Sequence, residues 1–211
     1  MRIGIVGTGN MAEALGTQWA AAGHELLVGG RDAARAAALA ERIGARAGGL
    51  ADAAAFGDAV LLALPYDAAV EAAAVLPLRG QALIDCSNPV GAGFTLVTEG
   101  GPSAARRIAD AAPGAHVVKA FNVCHEGVWR LTPPVFDGRP LTVPLCGDDE
   151  GALTLVRELV KDLGCEPVAA GGLERAGLLE ATAALLIGLW VGEGVDAQAI
   201  APPRAFATGG H

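Results

Sequence analysis

Short apolar runs alternate with longer segments of helical periodicity along most of the chain. Apolar runs of this length, separated by helical segments, are typical of parallel strands that are covered on both faces. We therefore expect an α/β fold of the Rossmann type, with a doubly wound, mostly parallel sheet and a small C-terminal helical extension. The predicted strands are Arg2–Val6, His24–Val28, Ala59–Ala63, Gln81–Ile84, His116–Ala120, Leu141–Leu145 and Glu166–Ala169, and the predicted helices are Asn10–Ala22, Ala33–Ile43, Asp67–Leu76, Ser103–Ala111, Glu150–Leu163 and Leu173–Trp190.

The last predicted helix, Leu173–Trp190, is apolar on nearly all sides. Such a helix is buried, either under its own domain or against a second subunit. We expect residues 1–140 to form a dinucleotide-binding domain and residues 141–211 to form an extension packed on it, made of a strand, a helix, the buried final helix and a tail. The Gly-rich segment Gly91–Gly101 predicts a loop, and the tail from Val195 predicts an irregular or frayed end.

Composition and charge narrow the classes of function. The chain is 52% hydrophobic and 18% charged, which excludes a disordered protein. Its formal charge of −8, without a dense basic cluster, argues against nucleic acid and favours small-molecule partners. We expect a cytoplasmic protein without a signal peptide or a membrane span. The cysteines stand singly, which argues against a disulfide framework or a metal site; they are Cys86, Cys124, Cys146 and Cys165.

The segment Gly7-Thr8-Gly9-Asn10-Met11-Ala12 follows the first strand and begins the first helix. Gly7 permits a tight turn, Gly9 lets a pyrophosphate approach the backbone, and Ala12 lets helix and strand pack closely. The phosphates would face free N–H groups at the positive end of the helix. At this position in a strand-turn-helix unit, the pattern predicts a dinucleotide site.

The end of the second strand bears on which dinucleotide binds. Gly30 stands where NAD sites usually carry a carboxylate for the ribose, and Arg31 and Arg35 follow. Two guanidinium groups can bind a 2′-phosphate with charge-assisted hydrogen bonds, which favours NADP(H). In the alternative interpretation both arginines are solvated and Asp32 binds the ribose.

Two further segments, Leu64-Pro65-Tyr66 and Ser87-Asn88-Pro89, follow predicted strands at the edge where open α/β sheets bind ligands. A proline stiffens such a loop and can place an apolar face against a nicotinamide ring. Ordinary turns are the alternative interpretation.

With these segments placed, the chain resembles the F420-dependent NADP oxidoreductase family, which transfers hydride between NADP(H) and the deazaflavin coenzyme F420. The first motif is also similar to that of pyrroline-5-carboxylate reductases, but those enzymes carry a large helical dimerisation domain. The resemblance extends from residue 1 to about residue 190 and rests on GTGNMA at 7–12, GGRD at 29–32, LPYDAA at 64–69, DCSNP at 85–89, VVKAFN at 117–122, VPLCGDDE at 143–150 and LLEATAALLIGL at 178–189.

The resemblance implies a homodimer in which nicotinamide stacks on deazaflavin. It implies that Thr8, Gly9, Asn10 and Met11 contact the phosphates and that Arg31 and Arg35 contact the 2′-phosphate. It further implies that Leu64, Pro65, Asn88 and Pro89 line the NADP groove and that Asn122, Val123 and Cys124 approach the deazaflavin. On this acceptor side the chain departs from the family, since some members carry His at the position of Asn122.

Hydride transfer between two bound rings depends on positioning rather than on acid-base chemistry, so we expect no essential catalytic side chain. Cys124 and His125 could suggest a thiolate-imidazolium pair, but adjacent residues rarely face each other, and a structural Cys beside a surface His is the alternative. Reduction of a small imine, carbonyl or flavin is a second hypothesis; for an imine or carbonyl, His125 or Tyr66 would donate the proton. A non-catalytic NADP(H)-binding regulator is a third.

Overall fold

One eight-stranded sheet and a small hairpin account for all strands in the part of the chain that the computed structural model describes, residues 1–98 and 100–200. The strands are β1 (Arg2–Val6), β2 (Glu25–Gly29), β3 (Arg46–Gly48), β4 (Ala59–Leu62), β5 (Ala82–Asp85), β6 (His116–Lys119), β7 (Val135–Phe136), β8 (Arg139–Pro140), β9 (Thr142–Gly147) and β10 (Glu166–Gly171). The α-helices are α1 (Asn10–Ala21), α2 (Ala33–Ile43), α3 (Leu50–Phe56), α4 (Tyr66–Val75), α5 (Ala104–Ala111), α6 (Glu150–Asp162) and α7 (Ala176–Ile187).

The sheet has the strand order β10-β9-β6-β5-β4-β1-β2-β3, and β7 pairs with β8 apart from it. Neighbouring strands are parallel except β6 and β9, which are antiparallel. The predicted Rossmann-type, mostly parallel architecture is therefore confirmed. Because the chain runs outward from β1 to β3 on one side and from β4 to β6 on the other, a crevice forms at the carboxyl ends of β1 and β4.

Helices cover both faces of the sheet, and each face has its own apolar core. Leu15 and Trp19 of α1 pack with residues of α2 and α6 on one face. Ala73 of α4 and Ile108 of α5 pack with residues of α3 and α7 on the other. Both faces of the central strands are thereby buried, which explains why these strands are apolar without alternation.

Three short elements were not predicted from the sequence: β3, α3 and the β7–β8 hairpin. Strand β3 has three residues, helix α3 has seven, and each strand of the hairpin has two. Elements this short show no clear hydrophobic periodicity in the sequence. Helix α3 instead depends on close packing, because a Cβ at Gly4 of β1 would overlap the carbonyl of Ala53. Among the described residues of the predicted loop Gly91–Gly101 there are a short 3-10 turn, Ala92–Phe94, and an isolated antiparallel bridge between Leu96 and Val90.

The predicted helix Leu173–Trp190 is observed as α7 with a turn at each end, and within this chain it is only partly buried. A 3-10 turn precedes α7 and a π-helical turn, Gly188–Glu193, follows it. One side packs against α5, but Leu178 and Leu185 are 55% and 56% exposed. Sequence periodicity shows that such a helix is apolar but does not show what covers it.

The stretch Leu173–Glu193 is long and apolar enough to cross a membrane by length and composition alone, with a mean hydropathy of 1.4. Glu180 near its middle is buried and lies 3.1 Å from Lys119 Nζ, which ties the helix to the sheet. The tail from Val195 was predicted to be irregular. Its described part ends in a 3-10 turn, Ala197–Ile200. Residues 201–211 lie outside the described part.

Candidate functional site

A groove of about 330 Å³ lies at the carboxyl ends of β1, β2 and β4. We call it the glycine groove. Six of the residues predicted to bind the cofactor line it: Gly7, Thr8, Gly30, Arg31, Arg35 and Leu64.

The turn between β1 and α1 has the geometry that its glycines predict. Gly7 has φ of +127°, and a Cβ there would overlap the Ala63 carbonyl, so the position requires glycine. Gly9 is the N-cap of α1 and has no side-chain cap, and a Cβ built on it meets no atom within 4 Å. Ala12 is fully buried against the sheet. Open space therefore lies over the free N–H groups of a helix N-terminus, where an anion can bind.

Asp32 is already engaged within the fold. Its carboxylate caps α2 by accepting hydrogen bonds from the backbone N–H groups of Ala34 (3.0 Å) and Arg35 (3.2 Å). This use of the carboxylate weighs against the interpretation in which Asp32 binds a ribose. The side chains of Arg31 and Arg35 are exposed, and the nearest carboxylate to the Arg35 guanidinium is that of Asp32, at 4.0 Å. Arg31 precedes α2 rather than lying on its face, but both arginines border the glycine groove.

The two proline segments differ in their placement. Leu64 borders the glycine groove, and Asn88 borders the pocket described next. Pro65 is the exposed N-cap of α4, and Pro89 is buried. Neither proline lines the groove or that pocket, so a proline face against a ring has no support from their position.

Beyond α1, a pocket of about 300 Å³ lies at the ends of β5 and β6. We call it the inner pocket. Gly9 and Asn10, at the start of α1, connect Thr8 of the glycine groove with Met11 of this pocket along the chain. The inner pocket brings together Met11, Asn88, Asn122, Val123 and Cys124, all predicted from the sequence, with Cys86, His125, Glu126 and Trp190.

A reciprocal pair of amides forms one wall of the inner pocket. Asn88 Nδ2 donates to the Asn122 carbonyl (2.7 Å), and Asn122 Nδ2 donates to Asn88 Oδ1 (2.9 Å) and to the Leu179 carbonyl (3.2 Å). Asn122 is 4% exposed, and its Oδ1 has no hydrogen-bond donor within the described residues. We call this pair the amide clasp.

Beneath the clasp lies a buried charged network that sequence reasoning did not identify. Lys119 Nζ donates to Asp85 Oδ2 (2.8 Å) and to the Ser87 carbonyl (2.6 Å), and lies 3.1 Å from Glu180 Oε1. Burial alone would lower the pKa of Lys119, but the two carboxylates outweigh it and raise the pKa, so the ammonium is retained. Glu180 also accepts from the first N–H groups of α5, at Ala104 and Ala105. The signal in the sequence was a single charged residue within each of three apolar segments.

Phe121 begins the segment that enters the inner pocket, and its backbone is strained. It has φ of +61°, which is uncommon for a residue with a bulky side chain. Its ring makes edge-to-face contacts with Trp19 (centroids 5.9 Å apart) and Trp129 (5.3 Å), which hold it in place. Strain held by packing is typical of segments that orient functional groups.

His125 and Cys124 do not form a thiolate-imidazolium pair in this structure. His125 Nδ1 accepts from the Gly127 N–H, so Nε2 carries a proton toward Glu126 Oε2 at 3.1 Å. Burial raises the pKa of the Cys124 thiol to about 11, and that of Cys86 to about 12. Asn10 Nδ2 donates to the other oxygen of Glu126, at 2.9 Å, which links the start of α1 to this segment.

A third, larger cavity of about 460 Å³ adjoins the inner pocket and shares Phe121, Val123, Cys124, His125 and Trp190 with it. We call it the outer pocket. The rest of its lining is mostly apolar. No cluster of His, Cys, Asp or Glu in the described ranges could hold a metal ion. Tyr66, the other candidate proton donor, begins α4 and lines neither pocket.

Comparisons with known proteins agree with this architecture. Residues 2–89 match the family model described as NADP oxidoreductase, coenzyme F420-dependent. The F420-dependent NADP reductase of Methanothermobacter thermautotrophicus is 30% identical over 210 residues, which cover 90% of this chain and 89% of the relative.

Two solved structures are similar in fold. A putative F420-dependent NADP reductase from Arthrobacter has a TM-score of 0.77 and 24% identity, with 92% of this chain and 95% of that chain covered. A reductive aminase from Aspergillus terreus, in complex with NADPH and ethyl-5-oxohexanoate, has a TM-score of 0.68 and 25% identity, with 94% and 69% covered. The sequence relationship extends over nearly the whole length of the archaeal enzyme, and the chain therefore belongs to the family of F420-dependent NADP reductases.

Proposed function

We propose that this chain is an oxidoreductase that transfers hydride between NADP(H) and coenzyme F420. The observation that carries the proposal is the continuity of the ligand-binding edge. The glycine groove, the open N-terminus of α1 and the inner pocket follow one another along the carboxyl ends of the strands. A dinucleotide in this fold lies along such an edge, across the point where strand order reverses.

The residues present fit a bound dinucleotide. Gly9 leaves space for a pyrophosphate over the N–H groups of α1, and the helix dipole favours negative charge there. The adenosine half would occupy the glycine groove, and the nicotinamide half would reach toward Met11 and the amide clasp.

Preference for the 2′-phosphate would rest on Arg31 and Arg35. Both side chains border the groove, and Asp32 is engaged as a helix cap rather than free for a ribose. A phosphate placed between two guanidinium groups gains charge-assisted, forked hydrogen bonds.

The inner pocket is where the acceptor would meet the nicotinamide. Bound NADPH supplies a hydride, and the pocket's role is to hold the two rings at a separation of about 3–3.5 Å with aligned orbitals. Phe121, which is buried, and Val123 and Cys124, which are half-buried, would supply apolar surface against the two rings. The buried thiols remain protonated because burial raises their pKa, so the residues of this pocket supply no nucleophile.

One observation favours a second candidate, reduction of a small imine or carbonyl. His125 lines the inner pocket and carries its proton on Nε2, next to Glu126. Transfer of a hydride to an imine or ketone needs such a proton donor. The similar reductive aminase structure contains NADPH. Loss of imine or carbonyl turnover in His125→Ala, with NADPH binding retained, would support this candidate.

The protein would act as a cytoplasmic homodimer. Leu178 and Leu185 are seven residues apart, so they lie on one side of the final helix, and both side chains are exposed there. A second copy would cover that surface, which a helix of this apolarity requires in water.

The test is anaerobic turnover of F420 with NADPH, followed by the loss of deazaflavin absorbance, with NADH as the matched control. Rapid loss with NADPH and little with NADH supports both the reaction and the role of the arginines. NADPH binding without any loss would contradict the proposed acceptor and leave imines, carbonyls and flavins to be tested.

A further inference from the structure

Phe94, from the loop after β5, packs on the π-helical turn Gly188–Glu193 at the end of the final helix. A Cβ built on Gly188 would lie 3.4 Å from Phe94 Cβ, and one built on Gly192 would lie 3.1 Å from Phe94 Cε2. The half-buried ring therefore lies directly against the backbone of the turn, and at Gly192 the distance leaves little room for a larger residue.

The loop that carries Phe94 is held in place by its own hydrogen bonds. The Phe94 N–H donates to the Gly91 carbonyl (3.2 Å), and the Gly91 N–H donates to the Thr95 carbonyl (2.8 Å). The Val97 N–H donates to the Pro89 carbonyl (2.8 Å), which ties the loop to the segment after β5. Phe94 has φ of +58°, and a bulky residue keeps this strained conformation only where the surrounding structure fixes it. The loop therefore presents the ring to the turn from a fixed support.

The turn carries side chains that line the pockets. Trp190 lies between the two glycines in sequence, lines both the inner and the outer pocket, and is 40% exposed, and Val191 lines the inner pocket. Phe94 is among the lining residues of neither pocket. Turns of the π-helical kind occur frequently at functional sites. Phe94 therefore acts on the pockets through the turn that it supports.

We propose that Phe94 is a positioning residue for the hydride acceptor, because it braces the turn that places Trp190 at the wall shared by the inner and outer pockets. This inference rests on the proposed function, in which the acceptor meets the nicotinamide in the inner pocket. Neither Phe94 nor the turn is among the residues that line the glycine groove, so Phe94 governs binding of the acceptor more than binding of NADPH. An indole that is not braced must be ordered when the acceptor binds, and that ordering weakens binding.

The first test measures steady-state reduction of F420 by NADPH in the unsubstituted chain and in Phe94→Ala. The KM for F420 should rise by about three- to tenfold, the effect of ordering one side chain at binding, while kcat and the dissociation constant of NADPH stay nearly unchanged. Gly192→Val disturbs the same contact from the side of the turn and should raise the same KM. Val97→Ala trims an exposed side chain of the same loop and should leave all three constants unchanged.

The second test uses tryptophan fluorescence, which needs no turnover. Trp19 and Trp129 are 0% and 2% exposed, so quenching by acrylamide reports mainly on Trp190. The variant Trp190→Phe identifies the share of the signal that belongs to Trp190. Quenching should increase in Phe94→Ala and stay unchanged in Val97→Ala.

An unchanged KM for F420, or unchanged quenching, in folded Phe94→Ala would overturn the proposal. An equal loss of affinity for F420 and NADPH would also overturn it, since it would show a general loss of structure. If Phe94→Ala does not fold, the same measurements on Gly192→Val decide in its place. Failure of the unsubstituted chain to reduce F420 would contradict the proposed function, and the quenching comparison would still decide whether Phe94 holds Trp190.

Discussion

Gly30 and Thr8 approach so closely that a Cβ at position 30 would lie 2.8 Å from Thr8 Cγ2. The two residues belong to neighbouring strand ends of the glycine groove, so the carboxylate side chain that NAD sites usually carry at this position would require Thr8 to move. We therefore expect cofactor preference to depend on the packing of Gly30 against Thr8 as well as on charge.

We expect Gly30→Asp to weaken NADPH binding without creating NADH binding. The new side chain would displace Thr8 and bring a negative charge toward the 2′-phosphate. Isothermal titration with both cofactors measures the effect, and Gly30→Ala separates the steric effect from the charge. Strong NADH binding by Gly30→Asp would show that the groove adapts more easily than this packing indicates.

Removal of either arginine should reduce the preference for NADPH. We expect Arg31→Ala and Arg35→Ala each to lower NADPH affinity by about tenfold, because each loses a charge-assisted hydrogen bond to phosphate, and to leave NADH affinity unchanged. Arg106→Ala, whose side chain pairs with Asp110 on α5, serves as the control. An unchanged ratio of NADPH to NADH affinity in both variants would refute the proposed 2′-phosphate site.

Lys119 is expected to contribute strongly to stability. In Lys119→Met the carboxylates of Asp85 and Glu180 lose their buried cation, and the free energy of unfolding should fall by about 3–5 kcal/mol. The exposed pair of Arg2 and Asp58 is the control, since Arg2→Ala should cost roughly 0–1 kcal/mol. Urea unfolding measures the loss of stability in both variants. Equal losses would contradict the prediction that the buried network contributes more than a surface ion pair.

The buried network of Lys119, Asp85 and Glu180 also predicts how the stability of the fold depends on pH. The pKa of Lys119 is raised in the fold, so its contribution is complete below the pKa of an unfolded lysine, about 10.4, and is lost as pH rises through the higher folded value. Stability measured from pH 8 upward should show this loss only at strongly alkaline pH, and Lys119→Met should lack it. A loss that begins near neutral pH would point to another group.

The exposed side of the final helix should mediate self-association. We expect Leu185→Glu to convert a dimer into monomers, because it places a charge within an apolar surface. Leu131→Glu changes a comparably exposed leucine away from α7 and should leave the dimer intact. Sedimentation velocity distinguishes the outcomes, and a chain that is monomeric before substitution would contradict the predicted homodimer.

Much of the fold could be predicted from the sequence because the informative contacts are local. Helix α2 was predicted with its observed bounds, since Asp32 caps its start and Gly44, with φ of +70°, ends it. The turn at Gly7 and Gly9 could likewise be predicted from the sequence. Gly7 is required by its positive φ and by the nearby Ala63 carbonyl, and Gly9 leaves open space at the start of α1.

Contacts between distant segments could not be predicted. Asp85, Lys119 and Glu180 each appear as a lone charge in an apolar segment, and only the strand order brings them together. The amide clasp has the same origin, since Asn88 and Asn122 are 34 residues apart and follow neighbouring strands.

Direct hydride transfer in the inner pocket can be tested with NADPH deuterated at one or the other face of the nicotinamide. Anaerobic reaction with F420 in ordinary water, followed by mass spectrometry of the reduced deazaflavin, traces the label. We expect deuterium from one face only to appear in the product, because the rings are held in one orientation and no protein group intervenes. A product that carries only solvent hydrogen, or label from both faces equally, would contradict direct transfer between two fixed rings.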